Sequence, residues 1–210
     1  MSLARRLLAA ALLLATAPLA RPAPAAGRAL VLYDGEPGRS DGFLSARYTE
    51  CLLGHFDLDA VSLRPLADCL PREAAAADFL FVACEEGRAP VPSALLEAIV
   101  SRRAPIVWLN LQVDELLGLM PGRFPLRCGG ETTGRSWRVD YGDHSFAKED
   151  AELQVLVPGP SGCRVVAWAQ DAGGRRLPYV VRGSNLWVFA DSPFAYAREG
   201  GRWLVFADLL

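Results

Sequence analysis

Four short apolar runs divide the first half of the chain. Residues 29–34 (ALVLYD), 78–84 (DFLFVAC) and 105–110 (PIVWLN) are almost continuously apolar, whereas residues 58–63 alternate. Continuous apolar runs of this length are typical of parallel strands that are buried on both faces. The pattern therefore predicts four strands, with Pro65 ending the second.

In the segments between these runs, apolar residues recur at the spacing of a helix. In residues 43–53 the apolar side chains recur every three or four positions, and Gly54 follows as a stop signal. The chain also predicts short helices over residues 72–77, 92–103 and 114–119, with Arg102 and Arg103 near the negative end of the helix at 92–103. Strands and helices that alternate in this way predict an α/β fold with a parallel sheet, right-handed crossovers and helices on both faces.

The second half of the chain changes to strands separated by turns. Glycine-containing turns at 172–174 and 183–185 separate segments of strand-like composition. The predicted strands are residues 136–141, 152–157, 164–170, 179–182 and 186–190. We expect an antiparallel β extension on the same sheet or beside it. Residues 203–210 predict the first two turns of a helix, and residues 26–210 a single domain.

The last two predicted strands form a hairpin that closes on a proline-containing corner, within PYVVRGSNLWVFADSPF (residues 178–194). Asn185 belongs to the turn, and Pro193 to the corner. Arg182 and Asp191 are expected to fix that corner through hydrogen bonds. These four residues are assigned structural roles.

The N-terminus predicts export. Arg5 and Arg6 precede an uncharged apolar run at 7–17, and Ala-Pro-Ala at 23–25 fits a cleavage site. This arrangement predicts a secretory signal peptide over residues 1–25 and a periplasmic or extracellular bacterial protein. The alternative is an uncleaved anchor, for which the apolar run is short.

Charge argues against two classes of partner. The formal net charge is -2, and loss of the three arginines within residues 1–25 moves it to -5. Nucleic acids and anionic lipids require basic surfaces, so neither is expected as a partner. No membrane association is expected beyond signal-directed export.

Five cysteines leave at least one thiol free within a monomer. Cys128 and Cys163 lie in glycine-containing segments and are the first candidates for a disulfide, which export permits. Cys84 ends an apolar run and is expected to be a buried thiol. The spacing of the cysteines and histidines fits no zinc motif.

The candidate binding residues follow three of the predicted strands. Asp34 ends the first strand, Glu85 and Glu86 follow the third, and Asn110 ends the fourth. With strand order 2-1-3-4, these side chains meet at the carboxyl edge, where open α/β sheets bind ligands. Carboxylates there suit acid–base chemistry, a cation or sugar hydroxyls. The alternative is that strand ends are polar because they meet water.

No catalytic residue, metal site or cofactor is assigned. The chain has no G-x-S-x-G, G-x-G-x-x-G or P-loop motif, and His55 and His144 lie far apart. Tryptophan side chains can stack on sugars. Trp108 is expected to lie in the core. Trp137 and Trp187 are candidates for exposed, sugar-binding positions, and ordinary packing is the alternative for both.

The hairpin segment and the later RWLVFADLL resemble the N-terminal domain of a family of exported bacterial proteins related to polysaccharide deacetylases. The resemblance spans residues 29–210. It implies a flavodoxin-like, class I glutamine-amidotransferase-like fold that precedes a deacetylase barrel, whose metal-binding residues have no counterpart here. Active amidotransferases place a nucleophilic cysteine just after the strand at 105–109, where this chain has Asn110 and Leu111.

Three functions remain open. The first is a non-catalytic accessory domain that binds glycan or a deacetylase-type partner chain in cell-surface polysaccharide metabolism. The second is a truncated fragment of a longer deacetylase-like protein. The third is a hydrolase that uses Asp34 with Glu85 or Glu86.

Overall fold

The computed structural model describes residues 27–87, 89–133, 137–148 and 152–194. The helices in these ranges are α1 (Asp41–Leu53), α2 (Pro71–Ala76), α3 (Ser93–Val100) and α4 (Val113–Leu119). The strands are β1 (Arg28–Tyr33), β2 (Ala60–Pro65), β3 (Phe79–Cys84), β4 (Ile106–Asn110), β5 (Leu126–Thr133), β6 (Trp137–Tyr141), β7 (His144–Lys148), β8 (Glu152–Pro158), β9 (Cys163–Asp171), β10 (Arg176–Gly183) and β11 (Leu186–Phe189). The predicted signal peptide and the predicted final helix at 203–210 lie outside the described residues.

One nine-stranded sheet organises the described chain, in the order β2-β1-β3-β4-β11-β10-β9-β6-β7. The pairs β1–β2, β1–β3, β3–β4 and β4–β11 are parallel. The predicted order 2-1-3-4 is therefore confirmed. With β11 as its fifth strand, this half has the 2-1-3-4-5 order of flavodoxin-like folds.

The remaining strands of that sheet are antiparallel. β10 pairs with both β11 and β9, and β6 pairs with both β9 and β7. The predicted antiparallel extension is thus part of the same sheet. Between β4 and β11 the chain leaves the parallel half, builds this extension and returns to complete it.

Strands β5 and β7 are absent from the sequence-based prediction. β5 contains Gly129 and Gly130, and the latter has φ +87 at a register shift in its pairing with β8. Such a bulge breaks the two-residue alternation by which a strand is recognised. β5 and β8 form a separate two-stranded sheet.

The strands of the parallel half contribute much of the apolar core, as their composition predicts. Trp108 and Cys84 are fully buried, as expected from their apolar strands. Trp137, predicted as a surface candidate, is 1% exposed. The prediction of its exposure was wrong because Trp137 sits on the covered face of β6, beside the buried Val139 two positions on.

Helix α3 ends earlier than predicted, at Val100. Arg102, expected near the negative end of that helix, is buried instead and donates hydrogen bonds to the carbonyls of Ala74 and Ala77. These carbonyls lie at the C-terminal end of α2, where a cation is stabilised by the helix dipole. Arg102 therefore stabilises the neighbouring helix.

The predicted disulfide between Cys128 and Cys163 is absent from the structure, in which all five cysteines are free thiols. Cys128 lies on β5 and its Sγ faces the Gln154 side chain at 3.1 Å, whereas Cys163 lies on β9 with its Sγ 2.8 Å from the Pro125 carbonyl oxygen. The two thiols belong to different sheets and have different neighbours. Among the helices described, none is both long and apolar enough to cross a membrane.

Candidate functional site

Polar residues from four neighbouring parallel strands lie at one edge of the sheet. Asp34 follows β1, Glu85 follows β3, Asn110 ends β4 and Ser192 follows β11. Because these strands are parallel, their carboxyl ends meet at the same edge. The predicted site residues are thus brought to one edge, and Ser192 is added to them. Ser45, a buried residue of helix α1, lies beside them. We call Ser45, Glu85, Asn110 and Ser192 the Glu85 cluster.

Asp34 shapes the loop that carries the two glutamates. Its Oδ1 accepts a hydrogen bond from the Glu85 N–H at 3.0 Å, and its Oδ2 accepts from the N–H groups of Glu86 at 2.7 Å and Gly87 at 2.9 Å. A carboxylate that accepts three backbone N–H groups fixes the turn after β3. The direct contacts of Asp34 are therefore with the protein backbone.

Helix α1 starts against this same carboxylate. Ser40 caps the helix by accepting from the Phe43 N–H at 3.0 Å, and its hydroxyl donates to the Asp34 carbonyl at 3.1 Å. At Gly42, a Cβ atom would overlap the Asp34 side chain and lie 2.5 Å from its carbonyl oxygen. Glycine is required here because the first turn of the helix lies directly on Asp34.

Glu85 is the centre of the cluster. Its carboxylate accepts hydrogen bonds from the Ser45 hydroxyl at 2.7 Å and from the Asn110 amide at 2.8 Å. The Ser192 hydroxyl bonds to the same carboxylate and lies 3.3 Å from the Ser45 oxygen. Burial raises the pKa of Glu85 above its usual value, and the three hydrogen bonds act in the opposite direction.

Asn110 holds a backbone conformation that asparagine adopts more readily than most residues. Its φ is +64, in the left-handed region, at a sharp turn from β4 toward α4. The Leu111 N–H donates to the Cys84 carbonyl at 2.9 Å and holds this turn against the end of β3. A strained strand-to-helix turn of this kind presents its side chain at the sheet edge.

Glu86, the remaining predicted binding residue, is half-buried at the same edge. A Cβ atom added at Gly35 would lie 3.1 Å from its carboxyl carbon, so Glu86 lies against the loop after β1. The two adjacent glutamates therefore occupy different surroundings. Glu85 lies within the cluster and Glu86 lies next to it.

A buried ion pair lies beside the cluster. Lys148 Nζ is 2.9 Å from Asp191 Oδ2, and the Lys148 side chain is fully buried. Burial raises the pKa of Asp191 to about 6, although Lys148 acts to lower it; the Glu85 charge also raises it. The carboxylates of Asp191 and Glu85 are therefore close enough for their charges to interact.

The closing hairpin is held by contacts that differ in part from the prediction. Asn185 donates to the carbonyls of Arg102 at 3.2 Å and Ala104 at 2.7 Å and accepts from Arg123 at 3.0 Å, which fits its structural role. Hydrogen bonding of Arg182 to the corner stays a prediction; its guanidinium lies 5.0 Å from the ring centroid of Trp187 on the next strand. Asp191 pairs with Lys148 and also accepts a hydrogen bond from the Ser192 N–H.

Pro193, at the corner, is buried. It lies with Leu52, Leu109 and Phe189 around a small apolar gap beneath α1. The corner therefore packs against the first helix, as a structural role for Pro193 requires.

Sequence reasoning missed Ser45, Ser192 and Lys148. Ser45 lies inside a helix and Ser192 follows a strand, where serine is common. Only the sheet order brings them to Glu85, so no local signal identifies them. His55 and His144 are both exposed. Over the ranges that the structure covers, no three His, Cys, Asp or Glu side chains are placed to hold a metal ion.

Comparison with known proteins identifies similar folds and no family. No protein-family model matches the chain. No curated protein matches it either.

Solved structures share the fold at low sequence identity. A protein described as ThuA-like, from Bacteroides uniformis, has a TM-score of 0.58 and 11% identity, over 91% of this chain and 93% of its own. The exo-β-1,4-mannosidase Op5Man5 from Opitutaceae bacterium strain TAV5 has a TM-score of 0.55 and 9% identity, over 88% of this chain and 35% of its own. A protein described as a GMP synthase subunit from Thermoplasma acidophilum has a TM-score of 0.45 and 13% identity, over 80% of this chain and 84% of its own. The chain therefore has a mixed α/β fold similar to that of the ThuA-like protein, and it spans about a third of the mannosidase.

Proposed function

We propose that this chain is a non-catalytic accessory domain that is exported and binds a carbohydrate at the Glu85 cluster. In this function it acts in polysaccharide metabolism at the cell surface, beside a catalytic partner. The resemblance to the N-terminal domains of deacetylase-related exported proteins supports that setting. The binding claim depends on the cluster itself.

One observation carries the proposal: a carboxylate, an amide and two hydroxyls converge at the carboxyl edge of the sheet, next to the switch point between β1 and β3. Glu85 and Asn110 follow the adjacent strands β3 and β4, and their side chains are 2.8 Å apart. Carboxylates, amides and hydroxyls together both donate and accept hydrogen bonds, as sugar hydroxyls do. Open α/β sheets bind ligands outside the carboxyl ends of their strands, at the switch point beside this cluster.

The residue types favour binding over covalent chemistry. Asn110 occupies the sharp turn at which active amidotransferases are expected to carry a cysteine nucleophile, and an amide is a poor nucleophile. Asp34 uses its two carboxylate oxygens on three backbone N–H groups. These residues suit a site that orients a ligand.

Hydrogen exchange tests the binding claim directly. A β-1,4-linked manno-oligosaccharide is a suitable first probe, because a fold similar to this one forms about a third of a mannosidase. Bound sugar is expected to slow exchange in the peptides that contain Glu85 and Asn110. Exchange that is unchanged with this probe and with a panel of neutral oligosaccharides would refute the proposal.

Two variants locate the site. Asn110→Gly removes the amide yet accepts a φ of +64, so it is expected to fold normally and to weaken binding by about tenfold. The control Glu97→Gln changes an exposed side chain on α3 and is expected to leave affinity unchanged. Equal affinity in the wild type and Asn110→Gly would place the sugar elsewhere.

Export has its own test. Expression of the full chain with its native N-terminus in a bacterial host is expected to release a mature protein that begins near residue 26. Intact mass measurement of the periplasmic or secreted fraction gives the cleavage position. A full-length protein retained in the cytoplasm would contradict export without bearing on sugar binding.

A further inference from the structure

The outward face of the antiparallel half carries arginine and tryptophan side chains in rows. Residues opposite each other on paired strands point to the same face. Arg138 is opposite Gln170, and Gln170 is opposite Arg176, so one row crosses β6, β9 and β10. Trp168, two residues from Gln170 on β9, shares that face.

A second row lies farther along the same strands. Arg164 on β9 is opposite Arg182 on β10, which is opposite Trp187 on β11. The next position, Gly183, faces the other way, because a Cβ there would meet Cys163 and Pro125. The second row therefore points away from Pro125, as an exposed surface requires.

The six residues together define what we call the arginine face. Its members are Arg138, Arg164, Arg176, Arg182, Trp168 and Trp187. All four arginines are exposed, and both tryptophans are half-buried. Asp140 pairs with Arg138 at 3.0 Å, so the guanidinium groups still outnumber the acid beside them.

Two of the guanidinium groups lie over indole rings. Arg176 lies 4.5 Å from the Trp168 ring centroid, and Arg182 lies 5.0 Å from the Trp187 ring centroid. Stacking restricts the side chain and leaves the N–H groups at the edge of the guanidinium plane, where a carboxylate can accept two of them. The entropy lost on binding an anion is thereby reduced.

The dimensions fit an extended polymer. Arg176 and Arg182 are separated by six residues of β10, or about 20 Å of strand. Beyond Arg138 lies an open cleft of about 490 Å³, whose polar lining includes Ser145, Gln170 and the carboxylate of Asp171. Hydroxyl and amide groups in that cleft suit sugar hydroxyls.

We propose that the arginine face binds an acidic polysaccharide, with sugar carboxylates on the stacked arginines and sugar rings beside the two half-buried tryptophans. Each acidic sugar supplies a planar carboxylate, which matches the paired donors of a guanidinium group, and hydroxyls for the cleft beside Arg138. The inference concerns a different surface from the Glu85 cluster and stands independently of the function proposed above.

Binding of a polygalacturonate fragment to the full chain tests the proposal. Calorimetry at physiological ionic strength is expected to detect binding of this polymer, whereas any affinity for a neutral mannan of equal length is expected to be the same in the wild type and in the double variant described next. The double variant Arg176→Gln/Arg182→Gln is expected to bind at least about tenfold more weakly, with unchanged thermal stability. Arg72→Gln/Arg103→Gln removes the same charge from exposed positions elsewhere and is expected to retain affinity.

Three results would overturn the proposal. These are no affinity for polygalacturonate, equal weakening by both double variants, and tighter binding of single-stranded DNA of equal charge through Arg176 and Arg182. Arg176→Lys/Arg182→Lys keeps the charge and removes the paired donors, so intermediate affinity is expected; full affinity would contradict recognition by stacked guanidinium groups. Asn110→Gly is expected to bind polygalacturonate like the wild type, which separates this surface from the Glu85 cluster.

Discussion

Lys148 Nζ lies 2.9 Å from the Asp191 carboxylate, and both side chains are buried. Lys148 ends the outermost strand β7, and Asp191 follows β11. The ion pair therefore joins the far edge of the sheet to the corner where the parallel half ends. It also lies within electrostatic reach of Glu85.

Removal of one member of this pair is expected to destabilise the protein strongly. Lys148→Met at pH 8 leaves a buried carboxylate without its cation and is expected to lower the free energy of unfolding by about 3–5 kcal/mol. In the double variant Lys148→Met/Asp191→Leu most of that loss is expected to be recovered, because neither charge remains buried. Chemical denaturation measures both values, and a double variant as unstable as the single one would contradict this explanation.

The raised pKa of Asp191 predicts a pH dependence of stability. Its folded-state pKa of about 6 exceeds the ordinary 3.8, so the folded protein binds more protons between these values. The wild type is therefore expected to lose stability relative to Asp191→Asn as the pH rises from about 4 to about 6. Urea denaturation at several pH values measures the difference. If the wild type instead gains stability relative to Asp191→Asn over this pH range, the attraction between Asp191 and Lys148 exceeds the cost of burying the carboxylate.

Two glycine-to-alanine changes in helices are expected to have opposite effects. Gly42→Ala in α1 places a methyl group against Asp34, which disturbs the loop holding Glu85, and is expected to cost about 2 kcal/mol or more. Gly118→Ala in α4 meets no atom within 4 Å and is expected to stabilise by about 0.5–1 kcal/mol through helix propensity. Thermal unfolding of both variants measures the contrast. Stabilisation by Gly42→Ala would show that Asp34 can move.

The hairpin turn is expected to depend on the Asn185 amide. Asn185→Ala removes two donated hydrogen bonds and the two accepted from Arg123 and Ser184, and it is expected to cost about 2 kcal/mol. Asn185→Asp keeps the acceptor for Arg123 and turns a carboxylate toward two carbonyl oxygens, so it is expected to be at least as unstable. Denaturation midpoints compare the two variants. A stable aspartate variant would mean that the contact with Arg123 dominates.

The parallel half was predictable because its strands are unbroken apolar runs that end at polar residues. Strand β3, at Phe79–Cys84, differs by one residue from the predicted bounds. Strand β5 was missed because two glycines and a bulge hide its alternation, and β7 because His144–Lys148 is a short, mostly polar run.

Only the site residues that lie at the end of a predicted strand could be identified from the sequence. Glu85 and Asn110 were identified by position, but Ser45 and Ser192 are 147 residues apart and meet only in the folded chain. The arginine face was missed for the same reason. Its residues are spread from Arg138 to Trp187, and an acidic net charge hides a local excess of arginine.

The place of β11 in the sheet also determines how the domain can fold. Strand β4 ends at Asn110, and its neighbour β11 begins at Leu186, so one edge of β4 stays open until this distant strand pairs with it. Pairing over such a separation requires closure of a long loop and slows folding. Until then β4 exposes unpaired backbone groups that favour aggregation. The hairpin thus completes the sheet late and covers the open edge of β4.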